Sequence, residues 1–202
     1  MARIASRRYP ALAGLGGRAA GPLLLALLAL AGPPARATVM RPLSVADLAA
    51  RSDVVLRGRV AHVRVQWSAS GRIPITVVDL EVLEVLEGHL PPHRLVTVTQ
   101  PGGELDGVGL DYAGRPRFEM GEESVVFLSR RASGRFIPVG LAQGKFRVEP
   151  AGPSGERALR RDLRGVALIT TPDGPSPPIP ARLGELRGQL AARARELAGG
   201  QP

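Results

Sequence analysis

The sequence predicts a mainly β protein: a small Greek-key barrel preceded by a short helix and followed, after a Pro/Gly-rich linker, by an amphipathic helix. Two observations carry the barrel. Two long apolar runs, starting near Val54 and Ile73, change the parity of their alternation midway. Several shorter Val- and Phe-bearing runs then follow, separated by Gly and Pro turns. A strand that slips parity contains a bulge or a sharp coil, and such strands curl around small barrels rather than lie flat in a sandwich.

The helix comes first. In RPLSVADLAARSD, Ser44 is placed to cap the amide of Asp47, which can return the bond, and Leu43 and Leu48 have the spacing of a hydrophobic staple. The helix is expected from Val45 to Arg51. In RSDVVLRGRVAHVRV, Val54, Leu56, Gly58 and Val60 share one face before the apolar parity passes to Val63 and Val65. Gly58 marks a tight bend. Arg57 and Arg59 then fall on the outer, solvated face.

The run from Ile73 to Gly88 behaves in the same way. Thr76, Val78, Leu80 and Val82 share a face, and Leu83 and Val85 take over on the other. A helix from Val82 to Glu87 competes, but Val and Thr content favours a strand. Ser68 to Arg72 supplies the hairpin connection. Further strands are expected at Leu95–Gln100, Ser124–Leu128, Phe136–Val139 and Lys145–Val148, with a small hairpin about Ala113-Gly114. Residues 38–150 thus form the barrel domain. After Pro150, AGPSGE and TPDGPSPPIP are linker-like, and LRRDLRGVALIT between them can add a short strand. The final segment places Leu183, Leu186, Leu190, Ala194 and Leu197 on one helical face, with arginines elsewhere. Such a helix either docks on its own domain or partner, or contacts an anionic membrane.

The N-terminus reads as an address. Arg3, Arg7, Arg8 and Arg18 precede LLLALLALA, a run too short to span a bilayer. Gly32-Pro33-Pro34 breaks it, and Ala35-Arg36-Ala37 fits an A-x-A cleavage site. Residues 1–37 are therefore expected to be a signal peptide cut between Ala37 and Thr38, and the protein to be exported to the periplasm or beyond the cell. Ser6 to Tyr9 has a twin-arginine flavour, but Pro10 and Ala11 follow it, so Sec export is favoured. Arginine-rich usage, with Lys145 the one lysine, suggests a GC-rich bacterial source. Losing the five arginines of the leader takes the net charge from +9 to +4, and residues 38–150 carry 14 basic against 13 acidic groups. That balance speaks against a nucleic-acid surface. The absence of cysteine rules out disulfides, thiol catalysis, thiolate zinc sites and a lipid-modified cysteine.

ARSDVVLRGRV, the long strand ending LEVLEVLEG, the strand that leads to a Pro-Gly turn, FEMGEESVVFL and GRFIPVGLAQGKF together resemble the netrin-like module, the OB-type barrel of tissue inhibitors of metalloproteinases. In that family a serine or asparagine followed by aspartate introduces the first long strand, and a G-x-x-x-x-V-F-L strand recurs later. Ser52-Asp53 and Gly121 to Leu128 match these places. The resemblance covers Leu43 to Val148 and implies an OB-like barrel, an exported setting and binding to another exported protein, such as a metalloprotease. The family's inhibitory wedge needs an N-terminal cysteine. This chain has none, so inhibition does not carry over.

No residue pattern points firmly to catalysis, and neither a catalytic residue nor a cofactor is assigned. His89 and His93 have i, i+4 spacing, but Pro91 and Pro92 prevent the helix that would align them. Glu104, Asp106 and Asp111 gather in a glycine-rich loop and are the candidate metal ligands, though their spacing is not that of an EF-hand. Glu122 and Glu123 face opposite sides of a strand, a poor acid–base pair. Asp53 is expected to bond nearby backbone amides. Trp67 either anchors a partner or closes the barrel end. The sequence therefore favours an exported, non-catalytic protein-binding module. A metal-dependent hydrolase and an envelope protein tethered by its C-terminal helix are the alternatives.

Overall fold

A computed structural model describes residues 38–90, 95–169 and 176–199. The expected leader and cleavage site, with His93, lie outside them, apart from Thr38 itself. The chain is mainly β and contains a closed five-stranded barrel with a helix near each end.

Eleven strands and two helices order the described chain. Strand β1 (Thr38–Met40) precedes helix α1 (Val45–Ala50), and the two long strands β2 (Val54–Trp67) and β3 (Pro74–Gly88) follow. Then come β4 (Leu95–Pro101), the hairpin β5 (Gly103–Leu105) and β6 (Val108–Leu110), β7 (Glu123–Arg130) and β8 (Phe136–Pro138). One 3-10 turn, Leu141–Gly144, leads to β9 (Lys145–Val148), β10 (Leu159–Arg160), β11 (Val166–Leu168) and helix α2 (Leu183–Gly199).

The barrel closes in the cycle β2–β3–β4–β8–β7–β2. Four of these pairings are antiparallel and β4–β8 is parallel. That meander plus one parallel closure is the arrangement of an OB-type Greek-key barrel. The β2–β3 register shifts three times: Leu86 and Leu83 are extra residues on β3, and Ala61 is the extra residue on β2. Gly58 sits in a tight place: a Cβ at this position would stand 3.0 Å from the Glu81 carbonyl oxygen and 3.1 Å from Leu56. β3 runs unbroken to Gly88, so the competing helix over Val82–Glu87 does not form. Its backbone pairs with β2 over this segment, apart from Leu83 and Leu86 at the register shifts.

Two cores flank the barrel wall. Val54, Leu56, Leu80, Val98, Val126 and Phe136 fill the interior. Val55, Val125, Phe127 and Phe146 form an outer layer, which α1 and α2 cover with Leu48, Leu186 and their neighbours. The run Ser124–Leu128 is buried on both faces for this reason, and an unbroken apolar stretch is the expected signature. α1 begins at Ser44, whose side chain accepts from the Asp47 amide at 3.0 Å, while Asp47 accepts from the Ser44 amide at 3.0 Å. Buried Gln143 then ties the preceding segment down, accepting from the Leu43 amide at 2.8 Å and donating to the Arg41 carbonyl at 3.1 Å.

The chain after Pro150 joins this architecture. β10 adds to the main sheet beside β9, and β11 pairs in parallel with β1. In α2, Leu183, Leu186 and Leu190 are buried, whereas Ala194 and Leu197 face outward. Each buried leucine contributes on the order of 1.5–3 kcal/mol. The hairpin expected about Ala113-Gly114 is displaced. It forms instead at Asp106-Gly107, where both residues have positive φ, 51° and 76°, as a two-residue turn between twisted strands requires. Ala113-Gly114 makes a turn packed near Met40 and Val166.

Gly88 closes β3 with φ 86°, and a Cβ there would lie 2.3 Å from the Asp53 carbonyl oxygen. Gly88→Ala is expected to cost more than the ~1–2 kcal/mol of the left-handed conformation alone, because backbone must also move. Urea unfolding measures it; a loss below that figure would show that the β2–β3 end is softer than described.

Candidate functional site

The acids of the glycine-rich loop are drawn apart by local partners. Asp106 accepts a 3.0 Å hydrogen bond from Trp67 Nε1, Asp111 pairs with Arg115 and Arg117 at 3.2 and 3.5 Å, and Glu104 projects exposed from β5. Among the described residues no three His, Asp or Glu side chains gather closely enough to hold a metal ion. Trp67 is half-buried and ties the end of β2 to the β5–β6 hairpin, while His62 and His89 are exposed. Asp53 accepts from the Arg130 amide at 2.6 Å and from Ser129 Oγ at 3.1 Å, so its partners come from the far end of β7 rather than from its own turn.

Arg57 and Arg59 point outward, but only Arg59 is open to water. Arg57 bridges Glu84 on β3 at 2.9 Å and Glu123 on β7 at 2.6 Å, and its side chain is 19% exposed. Arg187 of α2 reaches the same Glu84 at 2.6 Å, and Arg193 pairs with Glu87. The solvated outer face expected from alternation is thus covered where α2 lies on it, because period-two patterning cannot show which faces a later helix covers.

A strongly charged cleft of about 240 Å³ lies between β9, β10, the segment Pro116–Glu122 and the segment Arg161–Arg164. Its floor holds Glu122 and Lys145, with side chains 4% and 8% exposed and paired to each other. Glu122 also accepts from Ser124 Oγ at 2.6 Å and from Arg147 at 3.0 Å. Burial pushes the Glu122 carboxyl up, but hydrogen bonds from Arg147, Lys145 and Ser124 outweigh it and hold the group below the ordinary glutamate range. Burial lowers the Lys145 ammonium, and Glu122 opposes that fall. The Lys145 ammonium also lies 5.0 Å from the centre of the Phe118 ring.

Around this floor the remaining acids are matched. Glu119 pairs with Arg147, Glu149 with Arg160 at 3.6 Å, and Asp162 with Arg164 through two bonds of 2.8 and 2.6 Å. The Arg164 bond and the burial that opposes it leave Asp162 at about 2. Arg161 differs. Its guanidinium lies 4.3 Å above the centre of the Phe146 ring, and its buried Nε has no hydrogen-bond partner among the described residues. Burial lowers it to about 10.

Sequence reasoning singled out Glu122 only as half of a poor acid–base pair, and it missed Lys145, Arg147 and Arg161. The separateness of Glu122 and Glu123 holds: Glu123 turns to Arg57 and Arg157, both at 2.6 Å. What brings Lys145 under Glu122 is the β7–β9 pairing, in which Ser124 faces Arg147 and Val126 faces Lys145. A lone lysine beside a buried-strand pattern was the available signal.

These paired carboxylates make the fold acid-sensitive. Glu84, Glu122 and Glu123 are held below their ordinary range and Asp162 near 2, so the unfolded chain binds more protons at low pH. Their contribution is fully present above the ordinary carboxylate range and is lost as pH falls through their depressed folded values. Stability should be level between about pH 5 and 8 and drop steadily below. A urea midpoint that stays constant down to pH 3 (about two units under that plateau) would contradict the ion-pair assignments.

A scan against protein-family models finds no match for this chain, and a search among curated proteins finds none either.

Proposed function

We propose that this protein is an exported, non-catalytic binding module that engages another exported protein through its OB-type barrel. The observation that supports this best is the fixed charge of the cleft. Its buried carboxylate, Glu122, is engaged by three donors and held ionised, which makes it a weak base and no acid near neutrality. Such a cluster presents charge rather than moving protons. The netrin-like resemblance and the signal-like leader support the exported setting, and a metalloprotease stays among the candidate partners on that resemblance alone. The OB topology of the barrel is compatible with the resemblance, though many unrelated functions share that topology.

Burial of Leu183, Leu186 and Leu190 favours a docked α2 over a membrane tether. Among the described residues no helix is long and apolar enough to cross a bilayer. The test is affinity capture of the tagged protein, produced with its leader in its native cells, from envelope and medium fractions, with mass spectrometry as the readout. Reproducible enrichment of an exported protein is expected. A blank capture, together with a cleaved product missing from both fractions, would overturn the proposal.

A further inference from the structure

Arg161 is the one cationic side chain of the cleft that the described residues leave without an acceptor. The cleft wall carries six cations and four carboxylates. Lys145, Arg147, Arg160 and Arg164 answer the four carboxylates, and Arg117 turns to Asp111 outside the cleft. Arg161 remains. The centre of its guanidinium lies 4.3 Å over the Phe146 ring, which is itself fully buried, so a cation–π contact helps hold the group in place before any ligand arrives. A buried donor without a partner costs free energy, and a native fold that keeps one in a cavity invites an explanation.

We propose that Arg161 is the receiving residue of a ligand cleft and that the group it receives is a carboxylate. This rests on the binding-module reading above. A carboxylate is flat and can take two parallel N–H bonds from the terminal nitrogens of a guanidinium. It also carries one negative charge, the amount left over once the other cations are matched. A doubly charged phosphate would need a second free cation and would meet the carboxylates of Glu119, Glu149 and Asp162 on the cleft wall. Burial of Arg161 strengthens the bond it can offer, since a desolvated charge is screened less. The carboxylate can belong to an acidic side chain or chain end of a protein partner, or to a free organic acid. The cleft chemistry is shared, and the probes below separate the two.

The experiment uses the exported protein, labelled with 15N and held in low-chloride buffer near neutral pH. Sodium acetate, succinate, inorganic phosphate and a blocked Gly-Asp-Gly peptide are titrated in turn. The Arg161 Nε–H signal, assigned by its loss in Arg161→Met, is followed together with the amides of Phe146 and Asp162. Saturable shifts are expected with carboxylate probes, and with phosphate only at higher concentration. Arg161→Met keeps the stem over Phe146 and should weaken binding roughly tenfold or more, as loss of a charge-assisted bond does. Arg161→Lys keeps the charge without the fork and should fall between. Saturation by the peptide alone assigns the carboxylate to a protein partner; saturation by the free acids alone assigns it to a small molecule. Binding unchanged in either variant, tighter binding of phosphate, or no saturable shift with any carboxylate would overturn the proposal. A partner captured equally by wild type and Arg161→Met would remove the cleft from the contact and leave the binding module standing. No captured partner and no carboxylate bound would bring down both.

Discussion

Glu122→Ala is expected to destabilise the protein by about 3–5 kcal/mol, the usual cost of removing one partner from a buried ion pair. The magnitude comes from what is left behind. Lys145 has a side chain 8% exposed and would lose the carboxylate it is bonded to, and Ser124 and Arg147 would each lose an acceptor. Arg147 is partly exposed and keeps Glu119, so it suffers less. Lys145→Met alone should also destabilise, since it strands the Glu122 carboxylate. The double variant Glu122→Leu/Lys145→Met should be less destabilised than either change alone, because an apolar pair of similar volume leaves no unpaired charge. Urea midpoints of the wild type, Glu122→Leu, Lys145→Met and the double variant form a double-mutant cycle, and the coupling should exceed the larger single loss, on the order of 3 kcal/mol or more. Strict additivity would mean that the two side chains do not meet.

Leu186→Ala is expected to cost about 2–5 kcal/mol, the range for truncating a fully buried leucine. Leu186 is 0% exposed and sits in the outer core with Leu48, Phe127 and Phe146. Its loss should be felt through the barrel, not only in the helix, because α2 covers the outer face of the same wall whose inner face lines the barrel interior. Leu197→Ala is the matched control. Leu197 is 60% exposed, and the change should stay within about 0.5 kcal/mol. Equal, small effects of the two substitutions would detach α2 from the barrel and restore membrane or partner docking as its role. Arg187 and Arg193 add ion pairs to Glu84 and Glu87, so high salt should weaken the docking modestly and leave the leucine effect intact.

Local features with their own chemistry were readable in the sequence. The Ser44–Asp47 capping box needs only residues three apart, and it forms as spaced. The irregularities of the two long strands were visible because the extra residue that slips the parity, Ala61 on β2 and Leu83 on β3, is itself the bulge. β3 was correctly a strand to Gly88, although Val82–Glu87 alone could have been a helix, because pairing with β2 decides between them. The β5–β6 hairpin was misplaced even though Asp106-Gly107 is the stronger turn signal. The flanking strands are three residues each, too short for an alternation pattern to frame the turn. The leucine stripe of α2 foretold burial as far as Leu190. Its continuation, Ala194 and Leu197, is exposed.

The cleft was not readable, and the reason is geometric. Glu122, Lys145 and Arg161 belong to three segments brought together by the β7–β9–β10 order. A carboxylate between a glycine turn and a strand looks the same in sequence whether it faces water or a buried lysine. Arg161 lies among arginines that all look alike in LRRDLRG, and its place over Phe146 and its lack of a carboxylate partner among the described residues separate it from Arg160 and Arg164. The same limit explains Arg57, which alternation placed outside without showing that Glu84, Glu123 and α2 would enclose it.

The proposal that the cleft holds fixed charge for binding is tested most directly by titrating the Glu122 side-chain carboxyl, followed by its 13C resonance as pH is lowered. The group should stay ionised through neutrality and begin to protonate only below the ordinary glutamate range, together with the loss of stability described above. A carboxyl that titrates near neutrality would be poised as an acid or base, and would replace the binding module with a catalytic site at the same place.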